Sequence, residues 1–395
     1  MRPLASRMSV MTGEGALSVY ARAKELERQG KSIIHLELGE PDFHPAAPTS
    51  AALKRAIDEG KDRYCPVIGV PALREAIAQY LRKTRNLSID PDHVVIAPGC
   101  KIALFMALMA LIDAGDEVLY PDPGFPGYAS ITLGFGGMPV GFELSEHNHL
   151  QPDPDEIAAK ITPRTKILIT NSPGNPTGTV YEDEVQRRIA ELAVKHDLLV
   201  LSDEIYARII YGGQYVSMLS YPGMAERTLI IDGFSKSFAM TGWRLGYTIA
   251  PAHIVPALAM LVVNSWTCVA EFSQYGAMEA LKDSTGSTPR MVAEFAKRRE
   301  QFVRDLNLVP GFRCQAPEGA FYAWVNISET GMSAEELCRI MLEEAGVAAI
   351  SGAAFGPRGA DFVRFSFASS AATLREAVER IQAASSAWQR SMAEK

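Results

Sequence analysis

Six short, continuous apolar runs recur through the middle of the chain: His93–Ala97, Glu117–Tyr120, Lys166–Thr170, Leu198–Ser202, Thr228–Ile231 and Gly246–Ala250. Runs of this kind fit strands covered on both faces, because a strand open to water on one side would alternate apolar and polar positions. Between them the spacing becomes helical. Asp183–His196 carries Glu182 and Asp183 near its start and Lys195 and His196 near its end, the charge order a helix dipole favours. The longest apolar run, Ile102–Ile112, has eleven residues, whereas a membrane span needs about 20; it predicts a buried helix. Strands alternating with helices predict an α/β fold whose large domain holds a mostly parallel, doubly wound sheet. From about residue 283 the pattern changes. Arg290–Leu306 reads as a charged amphipathic helix, and Ala320–Asn326 and Phe362–Phe367 as strands of a smaller α+β domain. Another helix is predicted over Ala16–Gln29. The expected division is a large domain over residues 41–282 and a small one over 283–395, with the N-terminal segment 1–40 part of the small domain.

Composition narrows the class. The 395 residues are 47% hydrophobic and 22% charged, an ordinary globular balance long enough for more than one core. A net charge of −7 with no lysine or arginine run argues against a nucleic-acid partner. The five cysteines, at 65, 100, 268, 314 and 338, form no C-x-x-C pair and read as reduced thiols of a cytoplasmic enzyme. Met1–Arg7 lacks the apolar core of a signal peptide, and no membrane association is expected. Phosphate-loop, dinucleotide-loop, zinc-protease and nucleophile-elbow motifs are all absent. His147 and His149 have no second ligand pair nearby and are expected in solvent.

Polar residues cluster just past the carboxyl ends of the apolar runs, where open α/β sheets bind ligands. Lys236 follows Thr228–Ile231, in Asp232-Gly-Phe-Ser-Lys-Ser-Phe-Ala-Met-Thr-Gly-Trp-Arg244. Lysine forms imines with carbonyl compounds once its ammonium is made easier to deprotonate. Arg244, eight positions on, has the planar fork that suits a phosphate. An imine-forming amine beside a phosphate receptor points to a phosphorylated aldehyde such as pyridoxal phosphate, though a surface lysine and an ordinary salt-bridged arginine would satisfy the same segment. Gly99-Cys100-Lys101 opens a helix whose first amides can receive a phosphate, though a plain strand–helix turn reads the same way. Phe125 could stack on a ring or pack into the core. Asn175 lies in a polar turn, able to donate to a ligand oxygen or to face water. Asp203 ends an apolar strand, where a carboxylate needs a cation such as a protonated pyridine nitrogen; a helix-capping aspartate would satisfy the same sequence. Tyr206, three residues on, could reach a ring hydroxyl.

Taken together, Gly39-Glu-Pro-Asp-Phe43, Tyr64 with Gly69-Val-Pro-Ala-Leu-Arg74, Asn175-Pro-Thr-Gly178, Ser202-Asp-Glu-Ile-Tyr206, Ser235-Lys-Ser-Phe-Ala-Met-Thr-Gly-Trp-Arg244 and Gly319-Ala-Phe-Tyr322 closely resemble the fold type I aminotransferases of the aspartate aminotransferase superfamily. The likeness is to the class I/II, bacterial, broad-range subgroup. It runs in order from about Leu17 to about Ala383. The resemblance implies that pyridoxal 5'-phosphate is the cofactor and that Lys236 carries the internal aldimine and moves the proton between Cα and C4′. Asp203 then pairs with the pyridine nitrogen, Tyr206 and Asn175 contact the ring oxygen, and Phe125 stacks where many relatives carry tryptophan. Ser235, Arg244 and the amides around Gly99, Cys100 and Lys101 hold the phosphate. Tyr64 reaches the cofactor of a neighbouring subunit, which implies a homodimer. Arg364 clamps the substrate α-carboxylate, assisted by Gly39 and Asn175.

Two departures stand out. Gly233 replaces a phosphate-binding serine of some relatives, and Phe125 replaces a larger indole. Lys101 matches a lysine that acid-specific relatives place on a distal carboxylate, which implies an acidic amino acid or 2-oxoglutarate as partner. The expected activity is ping-pong amino transfer between an amino acid and a 2-oxo acid. A carbon–sulfur β-lyase would use the same machinery. A ligand-sensing domain of a transcription regulator shares the fold but needs a DNA-binding domain, and only about 15 residues precede the first aminotransferase-like helix.

Overall fold

The computed structural model describes residues 3–386. In chain order its strands are β1 (Ile34–His35), β2 (Val94–Ala97), β3 (Glu117–Asp122), β4 (Met138–Glu143), β5 (Thr165–Asn171), β6 (Leu199–Asp203) and β7 (Thr228–Gly233). They continue as β8 (Gly246–Ile249), β9 (Arg313–Cys314), β10 (Tyr322–Asn326), β11 (Val347–Ala348), β12 (Ile350–Ser351) and β13 (Phe362–Ser366). Seven of them form one sheet in the order β2-β8-β7-β6-β5-β3-β4. Its pairings are parallel except the two made by β8.

The unbroken apolar runs are explained by helices on both faces. Ile167 and Ile169 of β5 point into a layer with Leu104, Leu108 and Leu258, while Leu168 points the other way to Ile189 and Ala193 of the helix Asp183–Lys195. All three β5 side chains are fully buried. β4 gave no strand signal because Met138-Pro-Val-Gly-Phe-Glu143 holds a proline and a glycine, residues that a sheet tolerates at its edge. It is one of the two edge strands, and only Phe142 is buried in it.

The second sheet, β12-β13-β10-β9, is antiparallel. Phe295, Phe302 and Leu306 of the helix Ser287–Leu306 pack against Val325 and Phe365 on it. The start of the chain joins this part of the molecule: β1 pairs with β11, and Ala23 and Leu26 of the helix Gly15–Arg28 pack with Leu342 and Ala348. Just before that helix, the Thr12 amide donates to Ser130 Oγ at 2.9 Å, in the helix Gly127–Gly134 beside the large sheet. Residues 12–15 therefore bridge the two parts of the molecule.

Beneath the carboxyl ends of β6 and β7 lies a buried charge cluster that no motif announced. Arg85, last residue of the helix Pro71–Arg85, donates to Glu204 Oε2 at 2.6 Å and pairs with Asp232. Tyr247 donates to Asp232 at 2.9 Å, and Ser217 and Ser202 donate to Glu204 at 2.7 and 3.1 Å. Removing one partner of such a pair leaves an uncompensated buried charge. Arg85→Leu strands two carboxylates, so chemical denaturation should show a loss of about 3–5 kcal/mol. A loss below about 1 kcal/mol, the range of exposed pairs, would show that water reaches the carboxylates.

Candidate active site

The loops that follow β2, β3, β5, β6 and β7 meet at one end of the large sheet and form one wall of a cavity of about 270 Å³. Tyr322 on β10, Ile350 on β12, Arg364 on β13 and Phe355 in the turn Gly352–Phe355 form a second wall, and Glu14–Leu17 with Leu38 and Gly39 a third. The nominated residues Gly39, Cys100, Lys101, Phe125, Asn175, Asp203, Tyr206, Ser235, Lys236, Arg244 and Arg364 all line it. Gly99 flanks it. Tyr64 does not enter it and is 87% exposed.

Lys236 is half-buried, and its ammonium donates to the Gly39 carbonyl. Burial pulls its pKa down to about 8, and Arg364 and Arg244 push in the same direction. The neighbouring Cys100 thiol is itself driven well above its usual value by burial. It stays uncharged near neutral pH and gives Lys236 no counter-charge. Gly39 has no room for a side chain, because a Cβ there would collide with the Tyr322 hydroxyl.

Asp203 Oδ2 accepts from the Tyr128 hydroxyl at 2.7 Å and Oδ1 from the Ile205 amide at 3.3 Å. Burial raises its pKa to about 6, against the pull of those two donors. Among the described residues no cation pairs with it, whereas Glu204 and Asp232 close by share Arg85. The Tyr206 and Tyr322 hydroxyls share a hydrogen bond of 2.6 Å.

Arg364, 4% exposed, lies between the rings of Tyr322 and Phe355, at 4.4 and 4.8 Å from their centres. Its Nη1 donates to Asn175 Oδ1 at 2.9 Å and its Nη2 to the Glu37 carbonyl at 2.6 Å, and its Nε has no protein partner. Both acceptors are neutral, so the guanidinium keeps its full charge toward the cavity. On the opposite side, Ser235, Arg244 and the N-terminus of the helix Cys100–Leu111 converge. Gly99 makes the approach possible: its φ is +95°, and a Cβ would lie 2.6 Å from Arg244 Nη2. Gly233 is also required sterically, since a Cβ there would lie 2.8 Å from both Cys100 Sγ and Gly246 Cα. The space that a serine at 233 would need is filled by Cys100.

Three lining or supporting residues had no role in the sequence reading. Tyr322 fell inside the segment Gly319–Tyr322 and Tyr128 three residues past Phe125, with nothing to mark their hydroxyls, and Glu14 carried no signal. His147 and His149 are exposed as expected, and among the described residues no His/Cys/Asp/Glu group could hold a metal.

The sequence model of the aminotransferases of class I and II matches residues 31–381. This chain belongs to that family. The aminotransferase is 39% identical over 388 residues to a probable aspartate/prephenate aminotransferase of Aquifex aeolicus, covering 96% of this chain and 98% of the relative. It is 41% identical to an aspartate aminotransferase of Pyrococcus abyssi over 89% of this chain and 91% of that one. The structure of the Thermus thermophilus aspartate aminotransferase with maleate superposes with a TM-score of 0.93 at 36% identity, covering 97% of this chain and 100% of that one. The protein is thus a fold type I aminotransferase, acting on amino acids and 2-oxo acids with pyridoxal 5'-phosphate as cofactor.

The cavity fits that cofactor on its own evidence. The half-buried Asp203 carboxylate lacks the cation that a pyridinium would supply, and Ser235, Arg244 and a glycine-opened helix N-terminus suit its phosphate. In the cofactor-free enzyme, acylation of Lys236 by a pulse of acetic anhydride across the pH range should rise with a midpoint near 8. Reaction requires the neutral amine, so the rate climbs as pH passes the lowered value. A midpoint near 10.4, that of an ordinary lysine, would show that the cavity does not desolvate it.

Proposed function

We propose that this aminotransferase transfers the amino group of an acidic amino acid to a 2-oxo acid in a ping-pong cycle. The observation that carries the reading is the pairing of two cations with Lys236 in one cavity. Arg364 is buried, held by neutral acceptors and lacks a carboxylate partner; Lys101 stands at the mouth. An acidic amino acid presents one carboxylate for each. The aspartate aminotransferases among the relatives support the same class.

When bound, the cofactor supplies an aldehyde that takes up the amino group and a ring that accepts the electron pair released at the substrate Cα. Lys236, able to shed its proton near pH 8, carries the cofactor and moves the Cα proton. Asp203, ionised at neutral pH with its value near 6, favours a cation beside it and so keeps the ring nitrogen protonated. Tyr206, held by Tyr322, and Asn175 serve the ring oxygen, and Phe125 covers the ring. Ser235, Arg244 and the amides of Gly99, Cys100 and Lys101 hold the phosphate. Arg364 orients the α-carboxylate, with Asn175 fixing its fork and Gly39 leaving room.

The same proposal includes a homodimer to which each subunit gives Tyr64. The exposed ring of Tyr64 supports it, as do the exposed apolar side chains of Met260 and Val263 on the helix Val255–Val263. It also includes the division into residues 41–282 and residues 1–40 with 283–395, supported by the β1–β11 pairing. A cytoplasmic location is supported by five free thiols and by no described helix being long and apolar enough to cross a membrane.

Arg364→Ala should raise KM about 30-fold or more for every amino acid, because a charged contact to a desolvated partner is worth on the order of 2–5 kcal/mol. Lys101→Ala separates the substrate classes. Steady-state kinetics should show aspartate, glutamate and 2-oxoglutarate losing about tenfold in kcat/KM while alanine and phenylalanine are spared. Equal losses for acidic and neutral substrates would contradict the acidic reading.

A further inference from the structure

The role of Lys101 leaves one contact unexplained: at the mouth of the cavity its ammonium is paired with Glu14. Glu14 takes the N-cap position of the helix Gly15–Arg28, yet its side chain caps no helix amide and turns toward Lys101. Its backbone has little freedom. The Thr12 amide is bound to Ser130, the Leu17 amide donates to the Glu14 carbonyl at 3.1 Å, and a Cβ on Gly15 would lie 2.9 Å from that of Ala354. The segment is thus seated between the helix Gly127–Gly134 and the turn at Ala354, and it presents a carboxylate over the mouth. The rim beside the pair is apolar, formed by Ala16, Leu17, Ile350 and Phe355.

The charge count at this end of the cavity decides what it accepts. Lys101 alone offers one positive charge to a distal carboxylate; paired with Glu14 it offers none. A second carboxylate brought beside the pair finds no net positive charge to bind and must displace Glu14 to reach Lys101. The side chains of Lys101 and Glu14 remain 50% and 27% exposed, and pairs open to water are weak enough to be displaced. A neutral side chain leaves the pair intact and rests on the apolar rim.

We infer that Glu14 sets the side-chain selectivity of the site by holding Lys101 in the place of a substrate's distal carboxylate. This rests on the reading of Lys101 given above. It makes the site dual: acidic side chains bind by exchange with Glu14, and neutral ones bind over the closed pair. Selectivity is set here by a competing carboxylate of the protein as well as by the attractive cation.

The test is Glu14→Gln in the cofactor-loaded enzyme, which keeps the shape and removes the charge. KM for aspartate and glutamate should fall about fivefold or more, the scale of a partly exposed pair, with kcat unchanged. Values for alanine and phenylalanine should stay constant. Titration with maleate, a dicarboxylate that does not react, should show the same gain in affinity by cofactor absorbance, and propionate should show none. If Lys101→Ala penalises acidic substrates but Glu14→Gln changes no dicarboxylate, the Glu14 inference is overturned and the acidic reading stands. If Lys101→Ala affects all substrates alike, both fall.

Discussion

Desolvation of carboxylates at the ends of buried strands governs this molecule. Asp203 and Asp232 end β6 and β7 or lie within their last turn of chain, and Glu204 follows Asp203 directly. Glu204 and Asp232 lie beneath the cavity and out of reach of water, so each of these charges needs compensation in the protein. Arg85 supplies it for Glu204 and Asp232, which ties the ends of the two strands that deliver Asp203 and the Ser235–Lys236 turn. It leaves Asp203 with a phenol and an amide but no cation. The structure thereby contains a fixed negative site open to a positive ring nitrogen.

The same desolvation acts in opposite senses on the groups around it. It lifts Asp203 to about 6 and lowers Lys236 to about 8, so both can exist in their working states near neutral pH: a carboxylate, and an amine that can lose its proton. Arg364 remains charged, and neutral acceptors hold its fork without cancelling that charge. Three separate stretches of chain are needed for this arrangement. The large sheet gives the lysine and aspartate, β13 gives the arginine, and residues 14–17 close the mouth.

Much of this was legible in the sequence. Lys236, Asp203 and Arg244 follow strongly apolar strands at positions where topology places ligands, and the apolar runs were unambiguous because both faces of the sheet are covered. What could not be read depends on contacts between distant residues. β4 hides behind Pro139 and Gly141, whose presence is harmless only because the strand is at the edge. Arg85 looks like an ordinary helix-end cation until the fold brings it to Glu204, 119 positions away. Gly233 looked like a lost phosphate contact, and the close approach of Cys100 and Gly246 shows that it is a steric requirement. Glu14 gains its meaning only when the start of the chain crosses to Lys101.

The central claim is that the half-buried amine of Lys236 is the one that carries the cofactor. Lys101 is the other lysine lining the cavity and provides an internal alternative. Borohydride reduction of the loaded enzyme, followed by proteolysis and mass spectrometry of the peptides, distinguishes the two. A pyridoxyl group on Lys236 alone is the predicted result; a label on Lys101, or spread over several lysines, would contradict the account.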